Sequence, residues 1–132
     1  MIIREPDAND KKAIDELYKK YFSHNEYPDF YNKDAFPQPF VITDTDEKII
    51  VAGGVKKIVE VVVVSDQSQS PRVRLEALLQ CLGSSIYIAQ EMKQNQLHVF
   101  SNDEKYIKVL QKFGFKLMDV KLLILDLGVN HG

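Results

Sequence analysis

There is no tryptophan among the 132 residues, only one cysteine, and no glycine anywhere between Gly54 and Gly83. Each gap excludes something. A lone thiol, Cys81, permits neither an internal disulfide nor a cysteine metal cage, and its apolar neighbours are those of a buried, inert cysteine. No apolar run has the length of a membrane-spanning helix and no secretory signal pattern is present, so the expected setting is the cytoplasm, with no membrane partner. Seventeen basic residues against nineteen acidic ones leave a formal charge of −2, which supplies no footprint for a phosphate backbone. Nucleic acid is therefore not an expected partner. His24, His98 and His131 sit in a loop, a strand-like run and a tail, and no metal site is expected from them. Repeats, low-complexity stretches and linkers are missing too. The expectation is a single domain over residues 1–132, long enough to bury one core unaided.

What is present reads as alternating strands and helices. The apolar start at residues 1–4 suggests a strand, punctuated by Pro6 and Asp7. Ala13, Ile14, Leu17, Tyr18 and Tyr21 then fall at spacings of three and four, the pattern of an amphipathic helix of about four turns. Residues 22–40 mix Tyr27, Phe30, Tyr31 and Phe36 with Pro28, Pro37 and Pro39. That is too proline-rich for a regular strand and too aromatic for a disordered linker, so an ordered loop is expected. Residues 40–43 and 49–55 flank a turn-like stretch and form a hairpin signal. Residues 58–64, almost wholly Val and Ile, read as a central strand buried on both faces. Ser70 caps and Pro71 opens a helix with an apolar face at Val73, Ala77, Leu78, Cys81 and Leu82, interrupted at Gly83 and resumed over residues 86–93. Residues 97–100 are strand-like. Asn102 or Asp103 caps a helix that Gly114 ends, and residues 115–127 hold two strands or a bent one. The order is βαβββαβαββ, an α/β (α+β) fold with a mixed, mostly antiparallel sheet flanked by helices.

Two segments carry a family resemblance. Residues 106–115, Tyr-Ile-Lys-Val-Leu-Gln-Lys-Phe-Gly-Phe, are similar to the ending of the GCN5-related N-acetyltransferase (GNAT) family, in which a helix runs into Gly-Phe. Residues 49–54, Ile-Ile-Val-Ala-Gly-Gly, resemble that family's third strand, and the order of elements agrees over nearly the whole chain. The resemblance implies a GNAT-like fold, acetyl-CoA as cofactor, and an amine acceptor that is either a small molecule or a protein N-terminus or lysine. It also implies that the fourth strand splays from the fifth. Backbone around Val62 and Val64, opposite residues 97–100, would then pair with the pantetheine arm, and the pyrophosphate would sit at the N-terminus of the following helix.

Here the chain departs from the family. The family pattern is Gln or Arg, two residues, Gly, one residue, then Gly or Ala. The best register is Arg72, Val73, Arg74, Leu75, Glu76, Ala77, in which only Arg72 and Ala77 match. A register shifted by two, which aligns Leu78 and Leu79 with the family's paired leucines, places Ser70, Val73 and Leu75 at the key positions and matches less. Arg72 and Arg74 could offer charge-assisted bonds to phosphate, with Ser68 and Ser70 adding hydroxyls, or they are simply solvated loop residues. The family's acid tyrosine falls on Leu110. Tyr106, one turn earlier on the same face, either substitutes or packs in the core. A family asparagine maps to Asp103, beside Asn102, and both positions are equally explained as helix caps. Glu60, the only ionisable group in an apolar strand, is the candidate base if burial shifts it, and bland if it reaches water. His98 reads as a structural residue.

Two functions stay open. One is an acyl-CoA-dependent N-acyltransferase. The other is a GNAT-like binding or assembly module that has lost coenzyme A and uses the aromatic loop between Tyr27 and Phe40, or a sheet edge, as its contact surface. A homodimer is compatible with either.

Overall fold

Val41 has no exposed surface and Thr43 almost none, and the first part of the structure is built around them. In the computed structural model, which describes residues 1–128, three short strands form one antiparallel sheet in the order β1 (Ile2–Arg4), β2 (Phe40–Thr43), β3 (Ile49–Gly53). Ile3 pairs with Ile42, and Val41 with Ala52; a bulge at Ile42/Thr43 brings Thr43 opposite Ile49. The turn between β2 and β3 is held by Asp44, whose carboxylate accepts from the backbone N–H groups of Asp46 and Lys48 at 2.9 Å each.

Between β1 and β2 runs a continuous helical stretch. A 3₁₀ turn at Ala8–Asp10 leads into α1 (Lys11–Leu17), which widens into a π turn at Tyr18–Phe22. Asp7 and Asp10 form a reciprocal capping box at its start. Ile14, Val41 and Ile49 make the core, with Ala13, Leu17, Phe30, Tyr31 and Ala52 packed around them. The expected aromatic loop is ordered for that reason: Phe36 is buried and meets Phe30 edge-to-face at 5.0 Å, while the Tyr31 hydroxyl donates to the Asp7 carbonyl at 2.6 Å. Gly54 lies beneath these rings. A Cβ there would come within 3.1 Å of the Phe36 ring and 3.4 Å of the Pro39 Cα.

α2 (Pro71–Glu91) is one unbroken helix, although Gly83 was expected to interrupt it. A mid-helix glycine costs about 1 kcal/mol relative to alanine, too little to divide 21 residues, and the Ser85 hydroxyl donates to the Cys81 carbonyl at 2.7 Å. Its shielded positions, Arg74, Leu78, Cys81, Leu82, Ser85 and Ala89, recur at three and four and so form one stripe. Val73 and Ala77, expected on the apolar face, lie outside that stripe and are exposed.

The strands expected over residues 58–64, 97–100 and 115–127 differ most. Among the described residues the first two meet only at a single parallel bridge, Glu60 with His98, and the last forms no ladder. Residues 61–64 are not buried on both faces: Val61 is buried, whereas Val62, Val63 and Val64 are all exposed, Val62 to 75% and Val64 to 96%. β-branched composition favours extended backbone, yet a strand exists only where a neighbour accepts its hydrogen bonds.

The chain divides into two compact units, Met1–Val99 and Phe100–Gly132. The second contains α3 (Glu104–Lys112), with buried Leu110 and half-buried Tyr106 and Ile107 on one face. Asp103, rather than Asn102, is its cap, accepting from the N–H groups of Lys105 and Tyr106 at 3.0 and 3.2 Å. Gly114 ends it at φ +96°, where Phe115 N–H returns to the Leu110 carbonyl. The described elements thus run βαββαα. His131 lies outside the described residues.

Candidate functional site

Among the described residues, the bridge at Glu60 and His98 is the one place where two distant apolar runs meet in parallel. His98 N–H donates to the Val59 carbonyl and Val61 N–H to the His98 carbonyl, both at 2.9 Å, the slanted pair of a parallel ladder. The ladder then stops. The backbone of Val62, Val63 and Val64 has no hydrogen-bond partner among the described residues, so it offers unpaired donors and acceptors along an extended edge.

Residues that pair across a sheet project to the same face, and so do residues two apart along a strand. Glu60, His98 and Gln96 accordingly share one face, and two further side chains join them. Gln96 Nε2 donates to Glu26 Oε1 at 2.7 Å, Lys56 Nζ approaches Gln96 Oε1 at 3.5 Å, and His98 Nε2 lies 3.2 Å from the same oxygen. Glu60, Glu26 and Lys56 are exposed, whereas Gln96 and His98 are half-buried. Glu60 reaches water, so the burial expected of a base in an apolar strand is absent. Gln96, Glu26 and Lys56 escaped the sequence reading. The two-residue spacing of Gln96 and His98 was a usable signal once that run was called a strand; nothing local linked either to Glu26.

At the entry to α2 all but one of the first-turn amides have a partner among the described residues. Ser70 caps it, its hydroxyl accepting from Val73 N–H at 3.3 Å; Pro71 has no N–H; and Arg74 N–H reaches the Ser70 carbonyl at 3.0 Å. Arg72 N–H is left as the first-turn amide without a partner. In the preceding loop the Ser68 hydroxyl donates to Asp66 at 2.7 Å, and that bond, with the Ser68 N–H and Gln69, holds the Asp66 carboxyl below its ordinary range. The backbone cradle implied by the resemblance is thus not available, and a carboxylate stands close by. The guanidinium groups are available in part: Arg72 is exposed and unpaired, and Arg74 commits Nη1 to Gln67 Oε1 at 2.7 Å while its shielded Nε has no partner. A diphosphate fits this end through arginine side chains and one amide rather than through a nest of amides. Val73 and Leu75 are exposed and contribute side chains to neither arrangement.

Asn102, Asp103 and Tyr106 belong to the second unit. Asn102 is exposed, Asp103 is occupied as the α3 cap, and Tyr106 is half-buried one turn before Leu110. The residues that cluster are therefore Glu60 and His98 with Val62 and Val64 following, and separately Ser70, Arg72 and Arg74. A shallow groove of about 480 Å³ lies elsewhere, lined by Ala8, Lys11, Lys12, Asp15, Glu16 and Lys19 on the solvated face of α1. Among the described residues no helix is long and apolar enough to cross a membrane, and no group of three acidic, histidine or cysteine side chains has the arrangement of a metal site.

No known protein family, characterised protein or solved structure matches this chain.

Proposed function

We propose that the protein is an acyl-CoA-dependent N-acyltransferase with a divergent GNAT-like topology, acting on an amine. The observation that carries this reading is the isolated parallel bridge between Glu60 and His98, after which residues 62–64 run on without backbone partners among the described residues toward the capped start of α2. That is the arrangement in which an extended amide-bearing arm can pair as if it were a strand. Acetyl-CoA, when bound, supplies the activated thioester. Val62 and Val64 would hold its arm through their backbone, Arg72 and Arg74 would hold its diphosphate, and Val62 N–H is the candidate donor to the developing oxyanion. Glu60 and His98 stand at the closed end of the pair, where the acceptor amine must lose a proton.

Calorimetric titration of acetyl-CoA tests the reading directly. Saturable binding in the micromolar range is expected, weakened severalfold by Arg72→Ala and by Arg74→Ala, and steeply dependent on salt because side-chain charges replace backbone dipoles. Absence of binding at millimolar ligand excludes it.

A second reading is favoured by the loop. Asp66, the occupied Ser68 and Ser70 hydroxyls and Pro71 together suit a helix end that holds no anion, as in a GNAT-like binding or assembly module that has lost coenzyme A. The aromatic loop suits that role less than the sequence suggested, since Phe30, Tyr31 and Phe36 are spent on the core. An apolar segment such as residues 117–127, where Leu123 is 93% exposed, suits it better. The same titration separates the two readings.

A further inference from the structure

We propose that His98 is the proton acceptor of this site, with Gln96 locking its ring so that Nδ1 faces the incoming amine as the base. The inference rests on the acyltransferase reading for its chemistry and on hydrogen-bond logic for its geometry. A glutamine amide has one donor end and one acceptor end, and its neighbours decide which way it points. Glu26 is a carboxylate, an acceptor, and lies 2.7 Å from the Gln96 nitrogen; Lys56 is a donor, and lies on the oxygen side. Both neighbours demand the same orientation. Gln96 Oε1 is thus an acceptor at 3.2 Å from His98 Nε2, and that ring nitrogen must carry the hydrogen. In the neutral ring the lone pair then resides on Nδ1, which has no hydrogen-bond partner among the described residues.

A free imidazole in water distributes its proton between the two nitrogens, so a three-residue chain from Glu26 through Gln96 to His98 is more than packing. In the step assigned to it, one N–H bond of the substrate's ammonium group breaks, its electron pair stays on the substrate nitrogen, and the proton forms a bond to Nδ1. The imidazolium so made pairs across the bridge with Glu60 and lies beyond Gln96 from Glu26, two negative groups, while Lys56 at the Gln96 oxygen opposes them. Gln96 and Glu26 act through His98 and are positioning residues. Glu60, which pairs with His98, supports the charge instead of taking the proton itself.

Nitrogen-15 NMR of the histidine rings reads the tautomer without any ligand. Wild-type His98 in its neutral form is expected as the Nε2–H tautomer, and Gln96→Met, which keeps the shape and removes the acceptor, is expected to return a mixture while the thermal unfolding curve stays cooperative. A wild-type mixture, or an Nδ1–H ring, overturns the lock. For the chemistry, His98→Gln is expected to lower kcat for acetyl transfer by about 10²-fold with little change in KM for acetyl-CoA, and to remove the corresponding limb of the pH profile. Unchanged turnover in His98→Gln overturns the role of His98 while leaving the acyltransferase reading intact. Wild-type protein that binds no acetyl-CoA overturns that reading and the proton transfer with it, and the tautomer measurement still decides the lock.

Discussion

Asp10 shows how much one side chain carries at the start of this chain. Its carboxylate accepts two bonds from the Arg4 guanidinium, at 2.7 and 2.9 Å, and one from Asp7 N–H at 2.8 Å, tying β1 to the first helical turn. The Arg4 fork holds the Asp10 carboxyl down to about 2, and the same contact pushes Arg4 up. The sign of the linkage follows from a folded pKa below the unfolded value of roughly 4. The contribution to stability is complete above pH ~4 and is lost as the pH falls from there toward 2. Urea unfolding at pH 7 and pH 3 should therefore show a larger acid loss for the wild type than for Asp10→Asn, and parallel losses would remove the pair from the argument. Gly54 is a second such residue. The Gly-Gly pair was legible in the sequence as part of a strand, yet the need for Gly54 was not, because Phe36 and Pro39 come to it from a loop fifteen or more positions earlier.

At the scale of elements, the helices were legible, but of the expected strands only β1 and the β2–β3 hairpin formed ladders among the described residues. A helix closes its hydrogen bonds within its own residues, so caps and periodicity suffice: Ser70 with Pro71, Asp103 and Gly114 all stand where local chemistry puts them. Ser70→Ala is expected to cost about 1 kcal/mol in chemical denaturation, the usual value of a lost N-cap, and to leave α2 helical by circular dichroism. A strand depends on a neighbour that the sequence does not name. Phe40–Thr43 finds two neighbours and becomes the centre of the sheet, while residues 58–64, more strongly Val-rich, find one bridge. The candidate site inherits this division. Arg72 and Arg74 were identified beforehand because they lie on a helix end, whereas Gln96 and Glu26, seventy positions apart, meet only in three dimensions.

For the whole molecule, size bears on the second unit. Phe100–Gly132 has 33 residues and, among the described ones, one nine-residue helix, below the length at which a lone core or an isolated helix is stable in water. A peptide of residues 100–132 is expected to be largely unstructured by circular dichroism at 25 °C. Strong helicity there would mean that the unit folds by itself. The sequence alone determined the composition class, the helices with their caps, the β2–β3 hairpin and the resemblance that pointed to acyl transfer, all of them consequences of neighbours along the chain. The tertiary structure decided which apolar runs became ladders, that the aromatic loop serves the core, that Glu60 is exposed, and that Gln96 meets the ring of His98. Those outcomes depend on contacts between residues far apart in sequence, whose closeness no local pattern records.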